Sequence, residues 1–451
     1  MDTQTLTQKI VIRRGHIEFK KLDDLCRNSK RFYNFALYEM RQHFFDTNGG
    51  VLKEKDLYHI IKNKVDNEGN YPYYFLPTAA SQQVIRNLIE NWKSFKALQK
   101  KFILDPKSLP APPSIPKYRK GNHHVVRFDT RAFSKNLGKK TITILKQKYN
   151  ISIKVPVNIR KHINTIKFVR VVPKYNHFVV ELIYDRRVDN YRPNNGKAIA
   201  IDLGIDNFAT IVDNTNKYNP FIVNGKIIKS INQRFNKKLA KLKSRLPKKV
   251  YTSKAIRKLY DKRDRQLNDQ LHKISKTLIN YCIYNNINTI VLGYNIGWKQ
   301  HVSLGKVNNQ KFVGIPYYKF KNMLIYKCEQ YGLNFKAVNE AYTSKTSSID
   351  EEPVCRHSVY KGKRVTRGVF KSSNGIMINA DVNAAYNILR QANFTLDVIS
   401  TKVNKLSFTN PGKTCNPSKM GYSGCDPTSI NFTEISTASN SKFGAVLLHQ
   451  I

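Results

Sequence analysis

Acidic residues are scarce in this sequence. Only 31 Asp and Glu stand against 78 Lys and Arg in 451 residues, a formal net charge of +47. Such a surplus predicts a polyanionic partner, nucleic acid above all. A membrane surface would be the other polyanion, but the positive charge is spread along most of the chain rather than gathered on one amphipathic helix. Long hydrophobic runs are also missing: no stretch of about eighteen apolar residues occurs, and the mean hydropathy is −0.50. No membrane span is expected. The opening residues, MDTQTLTQKIVIRR, lack a hydrophobic signal core. Cysteine is sparse, six residues without a dense framework, which predicts a reducing compartment. Apolar residues are plentiful, 41% with 11% aromatic, too many for a disordered basic tail. Two or three folded domains are expected at this length.

The charge is uneven. Residues 394–451 hold five Lys against three acids and are rich in Ser, Thr and Asn, so this tail reads as largely disordered, with a small extra subdomain as the alternative. Residues 214–260 contain no acid at all. Within them Ile231, Phe235, Leu239, Leu242 and Leu246 recur at helical spacing, and Pro247 would end the helix. Arg234, Lys237, Lys238, Lys241 and Arg245 then form a ridge of one sign, whose self-repulsion phosphate would relieve. A second helix follows on Leu267, Leu271, Ile274, Leu278 and Cys282.

The N-terminal half reads as a strand (9–14), helices over 24–46 and 78–104, a Pro-rich linker (108–121), and short β runs at 125–129, 141–145, 151–155, 165–172 and 177–184. Strands so spaced suggest a small barrel or sandwich with the helices inserted. Phe32, Phe35, Ala36, Met40, Val84, Leu88, Trp92, Phe95 and Leu98 are the expected buried set of the helices. Beyond residue 196 the pattern becomes apolar strands at 197–204, 208–213, 288–295 and 333–340. A helix over 316–331 ends at Gly332, and a last helix over 379–391 is capped by Asn379.

Among so few acids, three stand at strand ends or a helix start: Asp202, Glu340 and Asp381. Each alone has an ordinary reading, as turn cap, surface ion-pair partner or helix-dipole partner. Clustered, they would repel one another unless cations intervene, and two divalent ions on such a cluster support phosphodiester cleavage.

The segments RFYNFALYEMRQ, AASQQVIRNLIENWKSFKAL, PSIPKYRK, IAIDLGIDNFATIVDN, TIVLGYNIGWKQ, NNQKFVGIPYYKFKNMLIYKCEQYG, NEAYTSKTSSID, YKGKRVTRGVFKSSNG and INADVNAAYNILRQ run in order over roughly residues 30–391. In them the chain resembles the transposon-encoded TnpB (OrfB) family, which includes the Fanzor nucleases and is ancestral to type V CRISPR effectors. The resemblance implies an α/β nuclease domain of RNase H-like, RuvC type (196–340 and 376–393). It implies a β-barrel wedge domain (1–20 and 108–195), an inserted helical recognition domain (21–107), and a target-binding insert (341–375). The implied activity is cleavage of double-stranded DNA next to a short adjacent motif, directed by a guide (omega) RNA, with two Mg²⁺ held by Asp202, Glu340 and Asp381. A monomeric ribonucleoprotein is expected, inside the cell and on DNA: in the nucleus for a eukaryotic or eukaryote-infecting viral host, otherwise in the cytoplasm or nucleoid. Lys117, Tyr118, Arg119, the ridge from Arg234 to Arg245, and Lys361, Lys363, Arg364 and Arg367 are the expected nucleic-acid contacts, with Tyr33 as a further candidate for base stacking and Trp92 as one whose first reading is core packing.

Two departures from the family pattern stand out. Where relatives place a Glu after the third apolar run, this chain has Gly293, so the middle acid is assigned to Glu340, as in some relatives. Where many relatives carry paired CxxC motifs, this chain has Cys355 and His357, with Cys415 and Cys425 far beyond. No complete four-ligand set is visible, and structural zinc is not expected. A nuclease-inactive, RNA-guided DNA-binding protein is the alternative reading.

Overall fold

Alternation of apolar and polar residues builds the first half of the chain. The computed structural model describes residues 3–187, 192–215, 219–295, 297, 305–396 and 404–406, and it divides into two units after Arg187. In the first unit β1 (Thr3–Ile12) is followed by α1 (Phe19–Asp46), α2 (Glu54–Lys62) and α3 (Thr78–Leu104). Then come β2 (Val126–Asp129), β3 (Phe133–Asn136), β4 (Thr141–Ile144), β5 (Ile151–Lys154), β6 (Ile166–Lys174) and β7 (His177–Arg187). The strands form two antiparallel sheets, β1-β7-β6-β2 and β3-β4-β5, and no pairing among the described residues joins them into a closed barrel. The helices do not form a core of their own. Phe32, Met40, Leu88 and Trp92 belong to the same buried cluster as Val126, Ile142, Val171 and Leu182. Leu98, expected inside, is 45% exposed because the last turns of α3 run past that core.

The second unit opens with β8 (Ala198–Leu203), β9 (Asn207–Asp213) and β10 (Phe221–Asn224), then α4 (Lys226–Lys243) and α5 (Lys254–Tyr284). It continues through β11 (Thr289–Gly293), α6 (Lys306–Val313), α7 (Tyr317–Gln330) and β12 (Asn334–Val338). A hairpin of β13 (Lys363–Thr366) and β14 (Val369–Lys371) pairs on through β15 (Met377–Asn379), which runs straight into α8 (Ala380–Gln391); β16 (Asn404–Leu406) lies at the sheet edge. The main sheet has the order β12-β11-β8-β9-β10-β16. β11 is parallel to both β8 and β12, while β9 is antiparallel to β8 and β10.

The two-residue period sorts this sheet's faces. Ile199, Ile201, Ile290 and Leu292 pack with α5 and α7. Ala198, Ala200 and Val291 face Val382, Ala385 and Ile388 of α8. Asp202 and Gly293 continue the second set, so periodicity alone sends both toward α8. Asn379 caps that helix, its Oδ1 accepting the amides of Asp381 and Val382 at 3.0 and 3.2 Å. Gly332, at φ +65°, follows α7 in the left-handed conformation of a helix stop. No described helix is long and apolar enough to cross a membrane. Most of the tail assigned to 394–451, with Cys415 and Cys425, lies outside the described residues.

Candidate active site and nucleic-acid surfaces

Parallel strands β8, β11 and β12 end on one edge, the usual site of a ligand crevice in such sheets. Asp202 stands near the end of β8, Glu340 two residues past β12, and Asp381 in the first turn of α8. The structure brings them into one electrostatic group. Burial first, then the charges of Glu340 and Asp381, push the Asp202 carboxyl well above its ordinary range, while Arg364 opposes the shift. Burial raises the Glu340 carboxyl to about 7. Glu340 Oε2 is buried without a hydrogen-bond partner among the described residues. An orphaned anionic oxygen is costly unless a proton or cation meets it.

Gly293 makes room for this carboxylate. A Cβ placed there would stand 3.3 Å from Glu340 Oε2 and 2.5 Å from Ile388 Cδ1. The backbone of Glu340 is fixed from the same side, its amide donating to Asn295 Oδ1 at 3.0 Å.

Asp381 is held by two neighbours. Asn207 Nδ2 donates to its Oδ2 at 2.7 Å, and an Arg364 guanidinium nitrogen lies 3.6 Å from its Oδ1. Arg364 also donates to the Arg367 carbonyl, and Arg367 pairs with Asp206, which Lys229 binds as well. The Tyr317 hydroxyl donates to the Gly204 carbonyl at 2.8 Å, and burial followed by Asp202 and Glu340 drives its pKa upward. Asn207, Asn295 and Tyr317 escaped the sequence reading. Asn207, the first residue of β9 and five past Asp202, carried the best available signal, because the tight β8–β9 hairpin returns it to the acid's end of the sheet.

Three carboxylates with an orphaned oxygen are a donor set suited to divalent magnesium, which prefers hard oxygen ligands. Among the described residues no three His, Cys, Asp or Glu side chains stand together as a group that could hold a metal ion. The acids are gathered, with a guanidinium beside them, rather than locked into a cage.

The basic residues divide into two classes. Arg234, Lys237, Lys238, Lys241 and Arg245 are exposed, as the helical stripe predicts. The stripe itself is shorter than expected: Ile231 and Phe235 are buried, while Leu239, Leu242 and Leu246 are only half-buried, and α4 stops at Lys243. Lys361, Lys363, Arg364 and Arg367 are also exposed, but the two arginines are engaged with acids at the site. In the first unit Lys117, Tyr118 and Arg119 are exposed. Arg41 lies 4.9 Å over the Tyr118 ring. Tyr33 and Trp92 do not offer free faces for bases. Trp92 is wholly buried, and Tyr33, 1% exposed, is stacked between His124 at 4.6 Å and the Arg119 guanidinium at 5.0 Å.

Comparison with known proteins agrees with this architecture. Residues 177–299 match the family model OrfB_IS605, described as a probable transposase, and residues 317–388 match the Cas12f1-like TNB domain. The chain is 24% identical over 428 residues to the TnpB-like protein ORF457 of Acidianus two-tailed virus, covering 86% of each protein. A cryo-EM structure of a Cas12f1–sgRNA–target DNA complex contains a chain of similar fold, with a TM-score of 0.50 and 17% identity over 81% of each chain. Two successive family models on the unit that carries all three acids, and a relative aligned along most of the sequence, make this chain similar to TnpB-like proteins.

Proposed function

We propose that this protein is an RNA-guided DNA endonuclease of RuvC type, which binds a guide (omega) RNA and cleaves complementary double-stranded DNA beside a short adjacent motif. The observation that carries the reading is the meeting of Asp202, Glu340 and Asp381, whose mutual repulsion and orphaned oxygen call for cations. The sheet order, with its one antiparallel strand beside three parallel ones, supports an RNase H-like assignment for residues 196–340 and 376–393. Similarity to TnpB-like proteins supports the RNA and DNA partners, and the net charge of +47 suits a ribonucleoprotein, which we take to be monomeric and to act inside the cell.

Asp202, Glu340 and Asp381 would hold two Mg²⁺. When bound, the ions supply Lewis-acid charge to the phosphate and activate water. The chain's own groups do the rest. Asn207 orients the Asp381 carboxylate, Asn295 anchors Glu340, and Gly293 leaves its carboxylate space. Arg364 and Arg367, on a hairpin at the mouth, are placed to meet phosphate. The α4 ridge and residues 117–119 hold backbone, while guide–target pairing reads sequence.

The test uses protein purified with its co-expressed RNA, a matching plasmid and Mg²⁺. Cutting is expected from the wild type and lost in Asp202→Ala with RNA binding kept; an Asp202→Ala protein that cuts at the wild-type rate overturns the assignment. The second reading, guided binding without cleavage, draws on the acids' not being closed into a metal cage. It requires that wild type and Glu340→Gln both bind target and neither cuts.

A further inference from the structure

Glu340 and Asp381 lie on elements that no strand ladder connects: β12 pairs with β11, and Asp381 belongs to a helix. A buried polar seam joins them instead. Thr343, 2% exposed, turns back on the Glu340 carbonyl, donating from its amide at 3.3 Å and from its hydroxyl at 2.8 Å. The Thr343 carbonyl accepts from Asn387 Nδ2 at 2.9 Å, and the same nitrogen donates to the Thr346 carbonyl at 2.7 Å. One turn earlier on α8, Asn383 Nδ2 donates to the Thr346 carbonyl at 2.8 Å. Its Oδ1 accepts the amide and hydroxyl of Ser348 at 2.9 and 2.8 Å. Both asparagines are completely buried. They lie two and six residues beyond Asp381, so the helix that presents one acid grips the loop leaving the other. Between them Tyr342 sits at φ +67°, a conformation an L side chain adopts only when its surroundings impose it.

We propose that Asn383, Asn387 and Thr343 are positioning residues that set the separation of Glu340 from Asp381, acting through the loop 341–348. The proposal rests on the reading of these acids as a metal-binding nuclease site. The geometry suits the task. The Asn387 amide nitrogen makes both of its donor bonds here, Asn383 Oδ1 takes up two donors, and the path from Asn387 to the Glu340 carbonyl passes through one residue. Losing a group that orients a ligand typically weakens metal binding by about 10- to 100-fold.

The experiment compares wild type, Thr343→Val, Thr343→Ser, Asn387→Ala and Asp202→Ala as ribonucleoproteins. It reads Mn²⁺ affinity by electron paramagnetic resonance without target DNA, and the Mg²⁺ half-saturation of cleavage. Thr343→Val keeps the shape but loses the hydroxyl. It is expected to weaken Mn²⁺ binding by about 10-fold or more, to raise the Mg²⁺ half-saturation in step, and to recover most of its rate at saturating Mg²⁺. Thr343→Ser restores both quantities, and Asn387→Ala shares the shift. If Thr343→Val keeps wild-type Mn²⁺ affinity and changes only its melting temperature, the proposal is overturned while the nuclease reading stands. A wild type that neither binds Mn²⁺ through Asp202 nor cuts overturns both.

Discussion

Gly293 and Glu340 occupy each other's space: a side chain on the glycine would begin 3.3 Å from the Glu340 Oε2 atom. Glu340 thus approaches β11 from the end of the neighbouring strand, β12, where Gly293 offers only backbone. The same missing Cβ would lie 2.5 Å from Ile388 Cδ1, so α8 packs against Gly293 as closely as backbone allows.

This close approach predicts a coupled pair. Gly293→Ala overpacks a tight site and should cost about 1–3 kcal/mol of stability. Ile388→Val removes the Cδ1 atom that the new methyl strikes. Melting temperatures of the two single mutants and the double mutant should be non-additive, the double being more stable than the sum predicts. Simple additivity would mean that the two residues do not share this space.

The raised carboxyl of Glu340 predicts how stability responds to pH in chelator. Its value is about 7 in the folded chain against an ordinary 4.5. Between those values the folded state holds more protons than the unfolded one, so the contribution is full below about 4.5 and is lost as pH rises through about 7. Asp202, shifted the same way, adds slope of the same sign. The melting temperature should fall as pH rises from about 4.5 to about 7, less steeply in Glu340→Gln. Equal slopes in wild type and mutant would contradict the burial of this group.

Asn207 meets Asp381 through a single 2.7 Å hydrogen bond. Asn207→Asp replaces that donor with a like charge. Cleavage should drop by about 10- to 100-fold through weakened cation binding, with guide RNA affinity unchanged. A parallel loss of RNA affinity would place Asn207 in the nucleic-acid surface instead.

The α4 ridge makes a salt-dependent prediction. Replacing Lys237, Lys238 and Lys241 with Gln should lower RNA affinity and flatten its dependence on salt. Every phosphate left without its lysine reduces the log–log slope by about 0.7 for a single-stranded partner. An unchanged slope would show that the ridge faces only solvent.

Much of this molecule was readable in advance where short-range rules dominate. Helix α3 spans the 78–104 expected of it, Asn379 caps α8, and Gly332 stops α7. β8, β9, β11 and β12 fall on the four apolar runs of the second half. Illegible were features decided by contacts across long stretches of chain. Strand β3 is a four-residue segment that its pairing partner, not composition, makes into a strand. Tyr33 reads as an exposed stacking platform until His124, ninety-one positions on, is seen against its face. Arg364 reads as a phosphate contact, and only the fold brings it beside Asp381. Asp202, Glu340 and Asp381 stood out as scarce acids at strand ends and a helix start, whereas the grip of Asn383 and Asn387 on the loop after Glu340 was not legible.

The hairpin β13–β14 leaves no slack before the helix of Asp381. Asn379 pairs with Val369 as a strand residue and also caps α8, and the Ala380 amide donates to the Gly368 carbonyl at the hairpin's tip at 3.0 Å. Arg364 and Arg367 are thus tied to the first turn of α8 by a short hydrogen-bonded path, so the hairpin and the helix that carries Asp381 form one piece of backbone.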